Sequence, residues 1–128
     1  MLDAASVPRV LLCEPHDDIS ALLELVVRRL GHHPVSWSPG DRELPDIDAA
    51  VIEPGDADGL VVARRMHAEG VPVVFTSIFP PDETLLALDP IAYLVKPFPL
   101  SALERALSEA LGRPGEPDAG PAAAIVLS

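Results

Sequence analysis

Three short apolar runs constrain the fold of this chain more than any other feature, because none of them alternates. Arg9-Val10-Leu11-Leu12-Cys13, Ala49-Ala50-Val51-Ile52 and the stretch from Pro72 to Thr76 are apolar almost throughout. A strand with one wet face alternates polar and apolar residues, so a continuous apolar run is buried on both faces, the mark of a parallel sheet. Parallel strands cannot be joined by tight turns; each pair needs a crossover, usually helical. The segment after the first run supplies one. Ile19, Leu22, Leu23, Val26, Val27 and Leu30 form a single apolar stripe at helical spacing. Asp17 or Asp18 is placed to cap its start, and Gly31 to stop it.

The pattern continues along the chain. A second strand is expected over His33 to Trp37 and a third over Asp48 to Glu53, with loop residues Ser38 to Asp46 between them. Pro39, Gly40 and Pro45 interrupt that loop, which leaves room for about one helical turn. A helix is expected from Leu60 to Glu69, ended by Gly70, and another over Asp82 to Leu88 behind Pro80-Pro81. A fifth strand spans Ala92 to Val95, and a last helix Pro99 to Leu111. Strands alternating with helices imply right-handed crossovers and a covered sheet. The fold class is α/β: a flavodoxin-like, doubly wound, five-stranded parallel sheet of order 2-1-3-4-5, the helix between strands two and three shortened or absent. An extension over residues 1–8, a domain over 9–112 and a Pro/Gly/Ala-rich tail over 113–128 complete the expected organisation.

Composition removes several function classes. The 128 residues fit one domain, and a hydrophobic fraction of 48% supports a true core. Twenty acidic residues against nine basic ones give a formal charge of −11. That balance opposes direct nucleic-acid binding and docking on anionic lipid. No apolar run is as long as a membrane span. Met1 to Pro8 lack the basic and apolar regions of a secretion signal, and Cys13 is a single cysteine. The expected location is the cytoplasm.

Ligands of open parallel sheets gather at the carboxyl ends of the strands. There stand Glu14-Pro15 after strand one, Glu53 after strand three, Thr76-Ser77 after strand four and Lys96-Pro97-Phe98 after strand five. Two carboxylates, a hydroxyl and the chain's only lysine thus meet on one rim.

Over residues 8 to 111 these segments resemble the CheY-like receiver domain of two-component response regulators. The resemblance is carried by Val10 to Glu14, Ala50 to Glu53, Asp58-Gly59-Leu60, Phe75-Thr76-Ser77 and, most specifically, Tyr93-Leu94-Val95-Lys96-Pro97-Phe98. It implies that Lys96 ion-pairs at a phosphoacceptor site, that Thr76 closes on a phosphoryl group, that Tyr93 swings in step and that the Lys96–Pro97 bond is cis. It also implies a signalling module rather than an enzyme. The departures are informative. The family's Mg²⁺-holding acidic pair is here Glu14-Pro15, and Pro15 has no side-chain oxygen. The phosphoacceptor position holds Glu53, not aspartate, and the following loop is about two residues short. Mg²⁺ demands near-octahedral oxygen geometry, so no cofactor is expected beyond weak Mg²⁺ binding at Glu14 and Glu53. A Glu53–Lys96 charge pair is expected instead, on a rim open to water.

The resemblance places partners at residues near Leu85 to Leu88, Ile91 to Tyr93 and Leu100 to Leu111. The candidates are a histidine kinase, an output protein or a second copy. Two rivals stand beside this atypical receiver: a phosphorylatable receiver using Asp56 or Asp58, and a flavodoxin-like ligand-binding module. The strand-one loop lacks the hydroxyl-and-glycine cluster a phosphate cradle needs. His16 is expected as an exposed loop residue, with a hydrogen bond to Glu14 or Glu53 as the alternative. His32-His33 fits a helix-to-strand connection, His67 a helix face and Cys13 a small core position.

Overall fold

The computed structural model describes residues 7–112 except Pro39, Asp41, Arg42 and Asp56. The tail over 113–128 and the displaced-acceptor candidate Asp56 therefore lie outside the described residues. Strands β1 (Arg9–Cys13), β2 (His33–Ser36), β3 (Ala49–Ile52), β4 (Val73–Ser77) and β5 (Ala92–Val95) form one parallel sheet of order β2-β1-β3-β4-β5. This is the expected doubly wound order.

Period-two alternation divides the core into two layers. Val10, Leu12, Ala49, Val51, Val74 and Leu94 point to one face, under α1 (Asp17–Arg29) and α4 (Leu100–Ala110). Leu11, Cys13, Ala50, Ile52, Phe75 and Tyr93 point to the other, under α2 (Ala57–Ala68) and the single turn α3 (Glu83–Leu86). Helix α1 buries Leu23, Val26 and Val27, whereas Leu22 of its apolar stripe is exposed beside Leu25. The stripe is wider than the sheet beneath it can cover. The cap of α1 also differs from expectation. His16 occupies the N-cap without a side-chain bond, and Asp17 and Asp18 lie in the first turn, where they complement the helix dipole. Gly31 follows the α1 cap at φ +85°, a conformation that favours glycine.

Among the described residues no helix lies between β2 and β3. Trp37, Leu44 and Ile47 take its place as partly buried cover on the α2 side of the sheet. The next crossover shows the opposite deviation: α2 begins at Ala57, three residues before the expected Leu60. Asp58-Gly59 reads as loop because glycine is a poor helix former. Its helical placement follows from a tertiary contact. A Cβ on Gly59 would collide with the backbone carbonyl of Glu53, so only glycine lets α2 start this close to the end of β3.

That contact sets the sign of a mutation. Helix propensity alone makes Gly59→Ala stabilising by up to about 1 kcal/mol. Because the colliding atom is backbone, Gly59→Ala is expected to destabilise by about 1–3 kcal/mol. Denaturant unfolding of both proteins decides the sign, and a stabilised variant would rule out the contact.

Candidate functional site

The same alternation that sorts the core selects the site. Glu14, Glu53, Thr76 and Lys96 each follow a strand position whose parity matches Val10, Val51, Val74 and Leu94, so all four belong to the α1/α4 face at the carboxyl rim. Backbone bonds extend the ladder up to them. The Glu53 N–H donates to the Cys13 carbonyl at 2.9 Å and the Lys96 N–H to the Ser77 carbonyl at 2.7 Å.

Lys96 is the centre of the rim. Its Nζ donates to Glu14 Oε1 at 3.1 Å and to Glu53 Oε1 at 3.1 Å. The second oxygen of each carboxylate is also engaged. Glu53 Oε2 accepts the Gly55 N–H at 2.8 Å. Glu14 Oε2 accepts the His16 N–H at 3.1 Å and lies 2.9 Å from His16 Nδ1. An ionised carboxylate only accepts, so Nδ1 carries the proton. His16 is thus both the exposed residue expected and a ligand of Glu14. All four carboxylate oxygens hold an N–H donor.

The rim is drier than expected. The Glu14 side chain is 1% exposed, Glu53 11% and Lys96 16%. From the end of β5 the ammonium meets carboxylates that extend from the ends of β3 and β1. The Glu14 contact is one that sequence reasoning missed, although shared strand parity would have signalled it. Burial by itself pushes the Glu14 carboxyl upward, but the bonds from the His16 ring, the His16 N–H and Lys96, with the Lys96 charge, outweigh it. The net result holds Glu14 below the ordinary carboxylate value of 4.5.

Around this trio, Thr76 is buried and its Oγ1 has no hydrogen-bond partner among the described residues. Tyr93 lies on the other face, buried against Phe75 at 5.9 Å between ring centroids, and its hydroxyl donates to the Phe79 carbonyl at 2.9 Å. The Lys96–Pro97 peptide bond is cis. Pro15 is exposed, and Asp58 is exposed in the first turn of α2. Among the described residues no three His, Cys, Asp or Glu side chains cluster as metal ligands, and no helix is long and apolar enough to cross a membrane.

No family model matches the sequence, and no curated protein is similar enough to it to match. Solved structures do match. The signal receiver domain of a modulated diguanylate cyclase from Desulfovibrio desulfuricans superposes with a TM-score of 0.71 at 26% identity, covering 84% of this chain and 96% of that one. A response regulator receiver protein from Burkholderia phymatum gives 0.70 at 24%, with 82% and 95% covered. The receiver domain of a sensor histidine kinase from Pseudomonas aeruginosa, which holds a magnesium ion in its active-site cleft, gives 0.66 at 22%, with 84% and 99% covered.

The fold is that of a response-regulator receiver domain.

Within this fold the buried trio leads to two expectations. Lys96→Met leaves two buried carboxylates without their shared cation and is expected to cost about 3–5 kcal/mol. A double-mutant cycle with Glu53→Gln should give a coupling energy of about 1 kcal/mol or more, and a value near zero would remove the pair from the structure's support.

The second expectation concerns acid. The depressed Glu14 value means that the folded state binds fewer protons than the unfolded chain just below pH 4.5. Its stabilisation is therefore complete above that pH and is lost as pH falls through the lower folded value. Lys96→Met removes a lowering influence and moves the folded value back toward or above 4.5, so the stability lost on acidification should be smaller in the variant. Denaturant midpoints measured across the acid range test this, and parallel pH profiles would refute it.

Proposed function

We propose that this receiver works in two-component signalling by protein–protein contact, without ordinary aspartyl phosphorylation, its rim held in one state by internal charge. The observation that carries this reading is the position of Lys96, bonded to Glu14 and Glu53 at 3.1 Å each. In this reading Glu53 occupies the phosphoacceptor position, Glu14 and Pro15 the acidic-pocket positions, and Thr76, Tyr93 and Lys96 the switch positions.

The chemistry supports it in three ways. A phosphoryl acceptor needs a carboxylate oxygen free to attack, and both Glu53 oxygens already accept N–H bonds. The glutamate side chain is one methylene longer than aspartate, and a misplacement of roughly 1 Å can cost about 10²-fold in reactivity. Mg²⁺ would have to be held by Glu14 and Glu53, whose oxygens face the Lys96 ammonium instead, while Pro15 contributes no oxygen. These residues do not fit an octahedral Mg²⁺ site, and no step of the proposed function passes through the metal.

The rim charge pair then replaces a phosphorylation signal as the feature that sets Thr76 and Tyr93. The domain acts as a cytoplasmic signalling module with no reaction of its own. Its partner is a histidine kinase or an output protein. A second copy meeting the face near Leu85–Leu88, Ile91–Tyr93 and Leu100–Leu111 is the other assembly open to it. Incubation with Mg²⁺ and acetyl phosphate is expected to leave the intact mass unchanged. A phosphoryl adduct that disappears in Glu53→Gln, or in Asp58→Asn, would overturn the proposal.

A further inference from the structure

The structure holds an exposed apolar feature that the rim does not use. Ile78 and Phe79, in the loop after β4, are 64% and 63% exposed, and Leu86 of α3 is 52% exposed. Phe79 also forms a wall of a groove of about 360 Å³ between α2 and α3, whose more buried lining includes Leu60, Leu85 and Tyr93. An exposed aromatic on a loop is ordinarily free to reorient. Here the backbone is pinned on both sides of the ring. The Phe79 N–H donates to Ser77 Oγ at 3.1 Å, and its carbonyl accepts the Tyr93 hydroxyl at 2.9 Å. An exposed aromatic carried on a fixed backbone beside an apolar groove has the character of an interface anchor.

The charge around it selects the partner. Between Ser77 and Pro99 the chain carries Asp82, Glu83 and Asp89, all exposed, and one cation, Lys96, which is turned into the rim. Asp82 lines the groove, Glu83 lies between two lining residues, and the Asp89 N–H donates to the Leu86 carbonyl at 3.0 Å. On its α3 side the apolar patch is therefore edged by acids with no exposed cation, and Arg64, exposed on α2 one turn beyond Leu60, does not line the groove. A two-fold contact between copies would set the same patch and its acids against each other. A peptide with basic residues flanking an apolar stripe complements both features.

We propose that the groove between α2 and α3, with Phe79 as its anchor, Asp82 and Glu83 at its edge and Asp89 beside the exposed Leu86, docks a basic amphipathic segment of a partner protein. This rests on the protein-contact reading above and is independent of the state of the rim. The test uses the full chain and two fluorescent peptides of equal length, one of leucine and lysine at helical spacing and one with glutamate replacing lysine. The lysine peptide is expected to bind. Phe79→Ser should weaken it about tenfold or more, and the double variant Glu83→Gln with Asp89→Asn should weaken it severalfold. Leu86→Ser, at a second exposed site, gives an independent check on the apolar contact. Four results would overturn the proposal: no binding, binding unchanged by both Phe79→Ser and Leu86→Ser, equal binding of the glutamate peptide, or a dimer in sedimentation that Phe79→Ser returns to monomer. The last would make a second copy the occupant. A phosphoryl adduct in the mass measurement would instead end the rim reading and leave the docking result standing.

Discussion

A single ammonium group between two nearly dry carboxylates organises the carboxyl end of this sheet. Removing charges from water is costly, and a buried pair is tolerated only when its remaining polar atoms are also satisfied. That requirement is met through the backbone. Gly55 and His16 supply the N–H groups that complete Glu53 and Glu14, so the loops after β3 and β1 are folded around the carboxylates. Lys96 then ties β5 to β3 and β1, strands that the sheet hydrogen bonds alone do not join directly. Two negative charges and one positive charge leave the trio short of neutrality, and the His16 ring contributes a further donor from solvent.

The economy of the scaffold follows the same logic of close approach. Gly59 allows α2 to begin against the Glu53 carbonyl, and the Gly55 N–H just before it donates to the Glu53 side chain. The β2–β3 crossover has no helix among its described residues, and Trp37, Leu44 and Ile47 cover part of the core in its place. On the far side, α3 is one turn long, closed by the Asp82 side chain accepting the Leu85 N–H at 2.9 Å. Each reduction moves a function from regular structure to individual side chains. The rim is maintained by charge, the flank by a few apolar residues, and the groove by what the short α3 leaves uncovered.

The rim and the groove lie on opposite faces of the sheet, and β5 serves both. Lys96 follows Leu94 in parity and turns to the α1/α4 face, whereas Tyr93 turns to the α2/α3 face and holds Phe79. Tyr93 in β5 and Lys96 just past its end, three residues apart, thus carry one set of contacts on each face.

Local sequence was sufficient for the strand core, the parallel order and the membership of the rim. Unalternated runs such as Val10 to Cys13 admit only a doubly covered sheet, and the end of each such strand is legible residue by residue. The pairing of Glu53 with Lys96 was also within reach, because one lysine faces few acids. What only the tertiary structure decided were distances and solvent access. The sequence reading made the rim wet, the Lys96–Glu53 pair isolated and Asp58-Gly59 loop. Burial of Glu14, its sharing of Lys96 and the start of α2 at Ala57 all depend on backbone segments far apart in sequence approaching within contact. Hydrophobic periodicity reports which face a residue takes; it carries no information about how closely two loop ends meet, and that separation determines whether a charge is in water or in the protein.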